Sequence, residues 1–135
     1  MSDQRIYLDR SAILAIPDLQ TEDLFIPEWG AYVRVRGLTA RERDEWEDSC
    51  LTQKGKNTTI NVRNLRTKLV VRTVVDEDGQ RIFSNGDAEA LGEKSGAAVD
   101  RIYEVATRLS GVSERDAEEL AGNSGTGQDA GSPSA

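Results

Sequence analysis

Two short runs, the wholly apolar Leu24 to Ile26 and the alternating Tyr32 to Arg36, stand on either side of Pro27-Glu28-Trp29-Gly30. Period-two alternation rich in β-branched residues predicts strands. A proline and a glycine three positions apart bracket a tight reversal, so the two runs read as a β-hairpin. In the second run the arginines fall on one face and the aliphatic side chains on the other. Upstream, residues 1 to 22 mix short apolar pieces with charges and read as a partly helical lead-in. Ile13, Leu14 and Ile16 are placed to pack on the body, and Pro17 limits any helix there.

Downstream the period changes. Thr39-Ala40-Arg41-Glu42 is a capping box, in which hydroxyl and carboxylate each satisfy an orphan backbone donor. A charged helix to about Leu51 should follow, with Trp46 and either Cys50 or Leu51 turned inward. "TQKGKNTT" reads as a polar loop. From Ile60 to about Val74 the positions Val62, Leu65, Leu69, Val70 and Val74 recur at three and four, which favours a helix, although "KLVVRTVV" alone fits a strand equally. "VVDEDGQRIF" sets two apolar edges around Asp78-Gly79, a pair suited to a hairpin turn with positive φ. "SNGDAEALGEK" predicts a turn and a short helix. Ala97 to Leu109, with Val99, Ile102, Tyr103, Ala106 and Leu109, forms the clearest amphipathic helix and stops at Gly111. "VSERDAEELAG" restarts a helix behind Ser113. After Gly122 the Gly/Ser-rich "NSGTGQDAGSPSA" reads as a flexible tail. The expected fold is α+β and mainly helical: a small N-terminal hairpin, a compact helical bundle with a short second hairpin, and a disordered C-terminal tail. The expected organisation is a lead-in over 1–22, one domain over 23–121 and the tail over 122–135.

Composition narrows the function. Aromatic residues make up only 5% of the 135 positions, which implies a thin aliphatic core. The formal net charge of -7 opposes nucleic-acid binding, which normally brings a basic field. The single cysteine, Cys50, excludes an internal disulfide and suits a reducing compartment. Histidine, the commonest metal ligand and general base, does not occur. The first residues fit neither a signal peptide nor a membrane span, so a cytosolic protein is expected.

Candidate chemistry is sparse. Asp76-Glu77-Asp78-Gly79 suggests calcium, but an EF-hand loop needs a distal bidentate glutamate, and the chain continues Gln80-Arg81-Ile82-Phe83. Cys50 has no histidine to form its thiolate. Adjacent carboxylates such as Glu118 and Glu119 do not face each other on a helix. Catalytic, cofactor and metal sites are therefore not expected. Arg34, Arg36, Arg41 and Arg43 near Trp29 have the makings of a single-strand platform, as does the basic stripe from Arg63 to Arg72. Interleaved Glu42, Asp44, Glu45, Glu47 and Asp48 favour ion pairs and protein contacts instead. Trp29 and Trp46 read either as one small cluster under the hairpin or as a protein-binding surface. The residues best placed to meet a partner are Trp29, Tyr32, Arg34, Arg36, Trp46, Leu65 and Leu69.

The order of these pieces resembles the tail assembly chaperones of long-tailed (siphovirus-type) bacteriophages and prophages. Ile26-Pro27-Glu28-Trp29-Gly30, then "YVRVRGLTARERDEWE", then "VVDEDGQRIFSNGDAEALGEKSGAAVDRIYEVATRLSG" carry the resemblance over about residues 8 to 120. It implies a non-catalytic protein of the host bacterial cytoplasm. Such a protein binds the long helical tape-measure protein, helps recruit tail-tube subunits, and leaves before the virion is complete. In many such phages frameshifting appends a tube-binding extension. Repetition along one partner would give avidity, self-association would fit the thin core, and neither nucleic acid nor membrane is implied. The competing reading is a structural or tail-completion protein retained in the virion, or a small adaptor.

Overall fold

A computed structural model of the chain describes residues 4–61 and 63–112 and shows an α+β fold. In chain order the elements are α1 (Arg10–Ala15), β1 (Thr21–Ile26), β2 (Ala31–Arg36), α2 (Ala40–Ser49), β3 (Leu51–Lys54), β4 (Asn57–Ile60), α3 (Leu65–Thr73), β5 (Val74–Val75), a 3₁₀ turn (Asn85–Asp87), α4 (Ala88–Leu91) and α5 (Gly96–Leu109). One sheet has the order β1-β2-β5 and a second consists of β3 and β4, all antiparallel.

The predicted N-terminal hairpin is present. The amides of Trp29 and Gly30 both donate to the Ile26 carbonyl, at 3.0 and 2.8 Å. Gly30 takes φ +67°, a backbone region that a side chain would disfavour. The inner face presents Ile26 and Val35, fully buried, with Leu24 and Val33 packed beside them. Helix α5 lies against this hairpin, and two ion pairs flank the apolar seam. Arg101 forks onto Glu28 of the turn at 3.0 and 3.1 Å, and Arg108 reaches Glu22 of β1 at 2.7 Å. Those arginines are seven positions apart in sequence, so they share one face of the helix.

The core gathers under the sheet. Leu65, Leu69, Val70 and Val71 of α3, Ile102 and Ala106 of α5, and Trp46 and Cys50 belong to one buried cluster. The predicted capping box starts α2: the Glu42 amide donates to Thr39 Oγ1 at 3.1 Å and the Thr39 amide to Glu42 Oε1 at 2.9 Å. The acidic turn also forms, with Asp76 Oδ1 accepting from the amides of Asp78 and Gln80 and Gly79 at φ +83°. A capping box absent from the sequence reading holds the 3₁₀ turn, where Asp87 accepts from the Ser84 amide at 2.8 Å.

Four expectations need correction. Ile13, Leu14 and Ile16 do not pack on the body: α1 has no buried residue and all three side chains are exposed. The first strand begins at Thr21, inside the segment read as lead-in. "TQKGKNTT" is not a loop but most of the β3–β4 hairpin, turning at Gly55-Lys56. Its β-branched threonines favour extended backbone even without an apolar face. Consequently α3 opens at Leu65 rather than Ile60, behind Asn64 in a left-handed conformation (φ 58°). It also ends at Thr73, so the last two valines of "KLVVRTVV" belong to β5. The helix predicted behind Ser113 and the Gly/Ser tail lie outside the described residues.

Candidate partner-binding surface

On the sheet, the outward face of the hairpin presents exposed aromatic side chains. Phe25 and Tyr32 are paired across β1 and β2, and their rings meet edge to face at 5.2 Å. Tyr32 is 69% exposed and Trp29, on the turn, 38%. Two pairs further along the ladder, on the same face, Arg34 forks onto Asp23 with bonds of 2.7 and 3.1 Å. That guanidinium holds the Asp23 carboxyl below the usual aspartate range, and the Asp23 carboxylate raises Arg34 in turn. Beside this face lies an open groove of about 570 Å³, lined by Val33, Val75, Tyr32 and Ile82 and rimmed by Asp76, Glu77 and Asp78.

The sequence candidates divide into two groups. Trp29, Tyr32 and Arg34 lie together on the hairpin. Trp46, Leu65 and Leu69 are buried in the core, and the Trp46 indole N–H donates to the Leu65 carbonyl at 3.1 Å. The expectation of a shared tryptophan cluster is thus corrected: Trp46 belongs to the core and Trp29 does not. Arg36 is partly buried and turned to the helices, giving Nη2 to Glu42 at 2.6 Å and Nε to the Gly37 carbonyl. Burial works to raise the Glu42 pKa, but the bonds from the Thr39 backbone and Arg36 outweigh it and leave the carboxyl below its ordinary value. Sequence reasoning missed Phe25 and Ile82, both exposed. For Phe25 the signal was the strand itself, in which the middle residue of Leu24-Phe25-Ile26 faces away from its two neighbours.

The basic stripe is occupied internally. Arg63 meets Glu89 at 3.3 Å, Arg66 meets Asp100 at 3.0 Å and covers the Tyr103 ring, and Lys68 donates to the Ser49 carbonyl. Arg72 is buried, and desolvation lowers its pKa. Cations committed in this way form no continuous track for a phosphate backbone. Burial likewise pushes the Cys50 thiol above its ordinary value, away from the reactive thiolate. Among the described residues no group of three His, Cys, Asp or Glu side chains is placed to hold a metal ion. No described helix is long and apolar enough to cross a membrane.

These features define a small acidic α+β domain whose outward chemistry suits protein contact. A sequence model of the phage tail assembly chaperone family matches residues 10–123, and the chain belongs to that family. Among solved structures, that of the bacteriophage HK97 tail assembly chaperone is similar, with a TM-score of 0.52 at 20% identity. The match covers 71% of this chain and 92% of that one, and at such identity it speaks for the fold. No curated protein sequence matches the chain.

Proposed function

We propose that this tail assembly chaperone binds the tape-measure protein in the host cytoplasm, keeps it soluble while the tail is built, and helps recruit tail-tube subunits without catalysing a reaction. Membership of the chaperone family over residues 10–123 carries the reading. The exposed aromatic face of the hairpin supports it physically, because large half-exposed aromatics gain most from burial against an apolar partner helix. Arg34, already held by Asp23, offers a fixed guanidinium beside that face.

Co-expression with the tape-measure protein, followed by affinity capture, is the test. The expected result is a soluble complex that the double substitution Trp29→Ala and Phe25→Ala weakens at least about tenfold, or about 1.4 kcal/mol. A tape-measure protein that stays insoluble and uncaptured overturns the reading. Mass spectrometry of purified particles is expected to find the chaperone absent, whereas a retained protein would point to a structural role.

A further inference from the structure

The chain has five asparagines, and the residue after each decides how easily its side chain is attacked by its own backbone. Threonine, valine, leucine and serine follow Asn57, Asn61, Asn64 and Asn123, but glycine follows Asn85. With no Cβ on the next residue, the Gly86 amide nitrogen is open to the carbonyl carbon of the Asn85 side chain. Glycine also admits the backbone turn that brings the two together. Asn85 and Gly86 are both exposed, on the 3₁₀ turn. The Gly86 amide lies in a first helical turn, where no intrahelical acceptor exists, and among the described residues it makes no hydrogen bond. Arg81 donates from Nη2 to Asn85 Oδ1 at 2.7 Å, while its Nε donates to the Val71 carbonyl at 3.1 Å. A guanidinium fixed on that oxygen stands where negative charge develops when the carbon is attacked.

An unscreened carbonyl carbon, an uncommitted amide and a donor on the oxygen are the parts of an intramolecular acyl transfer. We propose that Asn85-Gly86 is a self-modifying site, at which the asparagine becomes aspartate or isoaspartate without an enzyme. The Gly86 nitrogen loses its proton to hydroxide and attacks Asn85 Cγ. The bond from Cγ to the side-chain nitrogen breaks, ammonia leaves with a proton from solvent, and a cyclic imide closes. Water then opens the imide at Cγ to give aspartate, or at the backbone carbonyl to give isoaspartate. The products differ in consequence. Aspartate keeps the backbone and offers Arg81 a carboxylate, a stronger charge-assisted partner than the amide. Isoaspartate routes the chain through the side chain and inserts an extra carbon between Ser84 and Asp87. There Asp87 Oδ2 accepts from the Ser84 amide at 2.8 Å and from its hydroxyl at 3.2 Å, the cap that leads into α4. Breaking it takes the N-terminal anchor from Ala88 and Leu91, both members of the core cluster.

Peptide mapping of the folded full chain, incubated at mildly alkaline pH, tests this. The amide-to-acid mass change should appear in the tryptic peptide 82–94 ahead of peptides 57–63 and 64–66, which carry Asn57, Asn61 and Asn64. Gly86→Ala should slow the change at least about tenfold. A methyl there would meet only Ser84 Oγ, at 3.9 Å, so this variant is expected to keep the circular dichroism of the parent. Asn85→Asp carries the acid without the extra backbone carbon and so separates the two products. Hydrogen exchange over residues 84–91 should stay at the parent's level in Asn85→Asp and rise in the incubated parent. An Asn85 that keeps its amide, a Gly86→Ala variant that converts as fast as the parent, or an incubated parent that exchanges like Asn85→Asp would each overturn the proposal.

Discussion

Trp46 and Trp29 show how differently one residue type can be used. Trp46 is fully buried and its N–H is satisfied by the Leu65 carbonyl. Trp46→Ala is therefore expected to cost about 3–5 kcal/mol in urea unfolding, and Trp46→Phe about 0.5–1.5 kcal/mol, since it removes one buried hydrogen bond while the Leu65 carbonyl keeps its helical partner. Trp29→Ala should stay within about 0.5 kcal/mol of the parent. Iodide should quench the emission of Trp29 and leave that of Trp46 largely untouched. The sequence reading put both on the candidate surface because hydrophobicity marks a side chain's preference, not the side of the backbone it leaves from. For Trp46 the helical spacing to Cys50 was informative. On the turn of Trp29 no period exists to consult. Arg72 is the converse case: its basic neighbours suggested a solvated stripe, yet the structure buries it with Nε unpartnered.

At the scale of elements, the junction between β2 and α2 is the most demanding. A methyl group added at Gly37 would sit 2.5 Å from the Leu109 carbonyl oxygen, which is backbone and cannot swing aside. Gly37→Ala is thus expected to cost about 1–3 kcal/mol by forcing α5 from the sheet, read as a lower urea midpoint. The hairpin, the capped α2, the acidic turn and α5 were legible because each has its own local signature: a proline–glycine bracket, a reciprocal cap, Asp-Gly, a sustained 3.6 period. The β3–β4 hairpin was not legible because its strands have no alternation between apolar and polar faces. The start of α3 was misplaced because Ile60, which fits the helical spacing, is claimed by a strand ladder instead. The candidate surface was half legible, since its hairpin could be read but the groove depends on where β5 stops.

At the scale of the molecule, three carboxyls among the described residues are held below their ordinary values: Asp23 by Arg34, Glu28 by Arg101, and Glu42, where burial pushes upward but the Thr39 and Arg36 bonds prevail. A carboxyl depressed in the folded state adds stability that is complete above its unfolded pKa and lost as pH falls through the folded one. With no histidine in the chain, thermal stability is expected to stay flat between about pH 5 and 8 and to fall below about pH 4. A melting series across pH checks this, and a step near pH 6.5 would contradict it. The Gly37 junction has a consequence at this scale as well. The Gly37 amide donates to the Gln20 carbonyl at 3.0 Å, and the Leu38 amide to Ser110 Oγ at 2.9 Å. The backbone just ahead of β1 and the hydroxyl just behind α5 are therefore gripped by two neighbouring residues, which act as a clasp joining the two ends of the described fold.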